Sequence, residues 1–178
     1  MRTFNLQWGV SALLLFSMAP SVAHAELANI NFVMNATLVA YSCEVSPASK
    51  ELFVAMGNWS TKQFFTASRS TAPVRFTINL ENCSDLKQGI TVMFNGTSDA
   101  NNPALLSVAG GDSARGVAIA ILDKSRVPLP LAQSVNMPDP TNGGRSAELV
   151  FYAQYIATGK NVSAGKADAD ATFTLSYD

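Results

Sequence analysis

Five stretches of this chain alternate large apolar and polar residues with a period of two, and that pattern restricts the fold more than any other feature. Val74, Phe76, Ile78 and Leu80 alternate with Arg75, Thr77 and Asn79. Ile90, Val92 and Phe94 form a second run, and Val117, Ile119 and Ile121 a third. Leu149, Phe151, Ala153 and Tyr155 form the fourth, and Phe173, Leu175 and Tyr177 the fifth. A period of two places every second side chain on one face of an extended strand, whereas a helix would scatter the same residues around its axis. Each run is therefore expected to be a strand with one face on a core.

Turn-forming clusters separate the runs: Asn95-Gly96, Gly110-Gly111-Asp112, Pro138-Asp139-Pro140 and Asn142-Gly143-Gly144. Val127-Pro128-Leu129-Pro130 must be extended, and its prolines place it at an edge or in a connection. Helical turns are expected only near residues 62–67 and 104–107. Many short strands with one cysteine pair predict a single antiparallel β-sandwich domain.

Residues 1–25 read as a cleaved secretory signal. Arg2 supplies the positive start, an apolar run ends before Pro20, and Ala23-His24-Ala25 offers a small-x-small cleavage site. The apolar run is well short of the ~20 residues that span a bilayer. His24 is the only histidine and leaves with the signal. Without it, the chain can form no Ser-His-Asp triad, Cys-His dyad or histidine-ligated metal site, and neither an enzyme nor a cofactor is expected. Gly110-Gly111-Asp112-Ser113 lacks the spacing of a nucleophile elbow. A net charge of −1 also provides no basic footprint for nucleic acid. Charged residues make up only 14% of the chain, against about 25% in ordinary soluble domains. Part of the surface is therefore expected to be covered by something else.

Cys43 and Cys83 are too far apart for a CxxC redox or zinc motif, and an exported chain meets an oxidising compartment. A structural disulfide is expected. Asp168 and Asp170 read as a solvated strand face rather than a cation site. Trp59, beside Phe64 and Phe65, reads as core or groove lining in preference to a sugar-stacking platform.

Ahead of Cys43, Ile30, Phe32, Met34, Ala36 and Leu38 alternate on one face of a segment that directly follows the cleavage site. Such a terminal strand either pairs within its own domain or tethers another chain. The other terminus bears on this choice. Residues 165–178 read as a strand alternating to the final residue, with Gly165 fourteenth from the end and Tyr177 next to last. This ending resembles the carboxy-terminal signature of chaperone–usher pilus subunits, type 1-like fimbrial subunits in particular. The stretch from Phe151 to Gly159 and the placement of Cys43 and Cys83 are similar to that family too.

The resemblance implies an incomplete immunoglobulin-like β-sandwich, the pilin fold, completed by a donor strand from a neighbouring subunit. It divides the chain into a signal at 1–25, a donor-strand extension at 26–39 and a pilin domain at 40–178. Ile30, Phe32, Met34, Ala36 and Leu38 would be the donor residues. Gly165, Ala171, Phe173, Leu175, Tyr177 and Asp178 would belong to the groove-edge strand that pairs with a periplasmic chaperone. The implied partners are that chaperone, an outer-membrane usher and neighbouring subunits. The implied location is a fimbria on the cell surface, reached through the periplasm, with a minor or adaptor role favoured by the Ala-Thr-Phe-Thr-Leu-Ser-Tyr ending. One departure stands out: Ala36 occupies a position where the family's donor strand commonly has glycine. A secreted immunoglobulin-like binding module acting alone is the alternative.

Overall fold

The computed structural model describes residues 42–84, 89–109, 112–138 and 140–177, all within one compact unit. The signal, the donor extension with Ile30, Phe32, Met34, Ala36 and Leu38, and the Asp178 carboxylate lie outside the described residues.

Among the described residues, nine strands form two antiparallel sheets. The first sheet contains β1 (Glu44–Val45), β2 (Val74–Glu81), β8 (Ala147–Ala157), β5 (Val117–Leu122) and β4 (Leu106–Ser107) in that spatial order, and β6 (Pro128–Leu129) pairs with β5. The second sheet places β3 (Ile90–Gly96) between β7 (Ser134–Met137) and β9 (Ala171–Tyr177). A four-residue helix, α1 (Pro47–Lys50), and a 3-10 turn at Thr61–Phe65 complete the elements.

The inner faces hold the alternating residues. Ile78 and Leu80 on β2, Ile90, Val92 and Phe94 on β3, and Leu149 and Phe151 on β8 are all buried. Phe151 lies at the centre, edge-on to Phe94 at 5.0 Å and stacked on Phe76 at 5.6 Å between ring centroids. Such geometry adds to the gain from area burial alone. A disulfide between Cys43 and Cys83 ties the entry into β1 to the exit from β2.

Four expectations need correction. The strand β5 is buried on both faces, not one. Ala118 and Ala120 point away from the main core, and Leu105 packs over them with Ile156. Two alanines in a row of β-branched residues leave room for that covering loop. Asn95-Gly96 ends β3 and does not turn: Gly96 pairs with Ala171, and a Cβ there would meet Leu106 Cδ2 at 2.4 Å and the Asp170 carbonyl at 2.8 Å. Glycine is present for close approach of another segment, not for a bend. Residues 106–107 form a strand where a helical turn was expected, because their partner is Ala118-Ile119 of β5. The last strand begins at Ala171, so Gly165 lies outside it. Gly165 instead packs against the backbone of residues 112–114, where a Cβ would lie 2.4 Å from the Ala114 nitrogen.

Candidate functional site

The strand β9 has the longest edge left open among the described residues. It pairs with β3 over its whole length, from Gly96↔Ala171 to Ile90↔Tyr177, and its other edge has no ladder partner among those residues. Phe173, Leu175 and Tyr177 turn inward beside Phe94, Val92 and Ile90. Their β3 neighbours are buried, yet these three remain only half-buried.

The opposite wall is residues 51–59. Up to α1 the chain follows the edge of β2: the Ser46 amide donates to the Asn79 carbonyl at 2.9 Å, and the Asn79 amide donates to Ser49 Oγ at 2.9 Å. Ser49, almost fully buried, thus stands in for a strand partner. Beyond α1 the chain leaves β2, and residues 51–59 form no ladder with any described strand. Within the segment, Trp59 Nε1 donates to the Met56 carbonyl at 2.7 Å. Trp59 and Met56 pack against the core, and Phe64 is buried, so the core or groove-lining reading of Trp59 matches its packing. Phe53 stands 91% exposed.

Two contacts orient this wall relative to β9. The Tyr177 hydroxyl donates to the Cys43 carbonyl at 2.9 Å, placing the end of β9 beside the start of the wall's approach. At the other end, Asn58, Trp59, Thr61 and Phe64 share a concavity of about 390 Å³ with Tyr155 and residues 162–168, which lead into β9. The wall therefore runs antiparallel to β9 across a slot. At ~3.3 Å per residue, the seven residues of β9 give it a length of roughly 20 Å. Phe76, half-buried on β2, lies under the slot, its ring edge-on to Phe94 at 6.4 Å.

Two tyrosines belong to the slot, and only Tyr177 was picked out for it by sequence. Tyr155, on the inner face of β8, donates its hydroxyl to the Ala167 carbonyl at 2.8 Å. Burial pushes its pKa above the usual value for tyrosine, and the Asp168 carboxylate nearby adds to the rise. Burial raises Tyr177 likewise. Both hydroxyls therefore keep the proton that their hydrogen bonds need. Asp168 and Asp170 are both exposed, on the solvated face expected for them, and the Asp168 carboxylate acts on Tyr155 from there.

A half-buried apolar strand edge facing a wall without a ladder has the geometry of a binding site for one more extended strand. Comparison with known proteins identifies the family. The family model described as fimbrial protein matches residues 30–178, and the chain belongs to that family. The fimbrial-like protein FimF of Salmonella typhimurium is 38% identical over 157 residues, 88% of this chain and 89% of that one. Among solved structures, a Burkholderia pseudomallei antigen and type I fimbria protein superposes with a TM-score of 0.59 at 34% identity, covering 76% of this chain and 88% of that chain. A chain of a chaperone–usher pilus gives a TM-score of 0.60 over 90% of this chain at 21% identity, a likeness of fold alone. The fold is the all-β pilin sandwich, and the protein is a structural subunit of a fimbria, displayed on the cell surface.

Proposed function

We propose that the slot accepts an extended apolar strand from another chain, and that residues 26–39 of this chain fill the corresponding slot of a neighbour. The observation that carries this reading is the bare edge of β9, with Phe173, Leu175 and Tyr177 half-buried beside fully buried partners on β3. An open edge over an apolar floor is an aggregation hazard unless something covers it. A donor strand covers it with ladder hydrogen bonds and alternating side chains. A periplasmic chaperone provides the first covering strand and the next subunit replaces it at an outer-membrane usher, by analogy with the chaperone–usher pilus that shares the fold. The role is structural and non-catalytic, that of a minor or adaptor subunit. The Ala-Thr-Phe-Thr-Leu-Ser-Tyr ending supports that role, and Ala36, a methyl group where the family's donor strand commonly has glycine, bears on which slot accepts the strand.

The test uses two synthetic peptides, residues 26–39 as they stand and the same segment with Ala36→Gly. The chain of residues 26–178 is expected to gain more than 10 °C in melting temperature with the Ala36→Gly peptide, and less with its own segment. A chain that is monomeric, stable and indifferent to both peptides would be a stand-alone module, and the reading would be wrong.

A further inference from the structure

We infer that Tyr155 and Tyr177 are positioning residues for strand acceptance, two hydroxyl latches that hold the slot's walls in place from opposite ends. The inference rests on the strand-accepting reading and adds to it which residues prepare the slot. The sandwich has two seams between its sheets, and they are closed differently. On one seam the backbone itself crosses: the Ser107 amide of β4 donates to the Thr97 carbonyl just beyond β3, and Ser98 bridges Leu106. On the slot's seam, each end carries a tyrosine hydroxyl bond between the sheets, and where β9 begins the backbone of Lys166 and Asp168 also bonds to Ala109, Asp112 and Ala114 ahead of β5. Tyr177 belongs to the second sheet and reaches Cys43, which leads into the first. Tyr155 belongs to the first sheet and reaches Ala167, which leads into the second.

The two bonds run in opposite directions and bracket β9. Each receiving carbonyl is itself anchored. Cys43 is fixed by its disulfide to Cys83 at the end of β2. Ala167 follows Lys166, whose amide and carbonyl bond to Asp112 and Ala114. A latch between a strand and a fixed point sets a distance. With no strand in the slot, the two hydroxyls fix the spacing of its walls, a spacing that an incoming strand would otherwise have to set as it docked. Pre-set walls spare that ordering and retain the strand once seated.

Hydroxyl deletion tests this directly. Tyr155→Phe and Tyr177→Phe each remove one oxygen, and Tyr152→Phe is the control, since Tyr152 lies on β8 under Arg126 at 5.4 Å, away from both latches. A fluorescein-labelled peptide of residues 26–39 with Ala36→Gly is bound to chains of residues 26–178, and its loss is followed after adding excess unlabelled peptide. Dissociation should accelerate about fivefold for each latch variant, the scale of one neutral hydrogen bond, and remain at the wild-type rate for the control. Should a variant fail to fold alone, it is refolded around the peptide and chased in the same way. Unchanged dissociation in both latch variants, even with lowered melting temperatures, would reduce the tyrosines to ordinary structural residues and overturn the inference. Failure of the wild-type chain to bind the peptide would instead overturn the strand-accepting reading on which it rests.

Discussion

The strands β5 and β9 both carry large apolar residues at every second position, and their surroundings are opposite. Val117–Leu122 is buried at all six positions, while no residue of Ala171–Tyr177 is fully buried. The difference lies in their neighbours: β5 has β8 on one side and β4 and β6 on the other, with Leu105 over its outer face. By contrast, β9 has β3 alone among the described strands. Apolar alternation therefore specifies a strand that needs cover without saying which molecule provides it. In β5 the described chain covers itself; in β9 it leaves one edge open, which the proposed donor strand would cover.

The comparison breaks first if the covered half depends on the slot. Phe151→Ala should cost about 3–5 kcal/mol, the usual loss for a large core aromatic. Denaturant titration with and without the donor peptide should give the same loss, because Phe151 is wholly buried either way. A loss seen only with peptide would mean that the core is not independently formed.

Next in size is Gly165→Ala, where the lead-in to β9 packs against the lead-in to β5. The added methyl would press on backbone at Ser113 and Ala114, so about 1–3 kcal/mol of overpacking strain is expected. Peptide affinity should fall with it, since the strain moves the approach to β9. Loss of stability with unchanged affinity would show that the two lead-ins are uncoupled.

Leu175→Ala sharpens the comparison from the slot side. In the free chain this half-buried residue should contribute only about 1 kcal/mol, rising to ~2–3 kcal/mol once a strand completes its burial. Equal losses in both states would mean that the strand seats elsewhere.

The smallest effect should come from alkali. Tyr155 and Tyr177 have raised pKa values in the folded chain, so their contribution is complete below the ordinary tyrosine pKa of about 10. It is lost as pH rises through the folded values, because the unfolded chain ionises first. Stability measured by urea titration should therefore slope downward above about pH 10. The slope should flatten in the Tyr155→Phe, Tyr177→Phe double variant.

Much of this arrangement was visible in the alternation. The strands β2, β3, β5, β8 and β9 were legible because each carries at least three large apolar residues in step. Those too short to hold a period were not: β1, β4 and β6 have two residues each and exist through their partners. The four residues of β7, Ser134–Met137, were missed because only Val135 and Met137 mark them, between turn-forming neighbours. Gly96 misled because a glycine needed for close packing looks in sequence like one needed for a bend, and Gly165 because the alternation gives no sign that the last strand starts only at Ala171. The slot was half legible. Phe173, Leu175 and Tyr177 announce themselves, whereas residues 51–59 have no period and become a wall only by facing β9. Tyr155 reads as one more core residue until its hydroxyl is seen to reach Ala167.

The small helix α1 affects how such molecules can be joined. By placing Ser46 and Ser49 on Asn79, it occupies the edge of β2 where a foreign strand could otherwise begin a ladder. The edge strands β4 and β7 are only two and four residues long, too short to template another chain securely. Under the proposed strand exchange, a subunit offering one receptive edge and lending one strand is a bifunctional monomer in the polymer chemist's sense. Bifunctional monomers give linear, unbranched chains, whose length is controlled at the two ends.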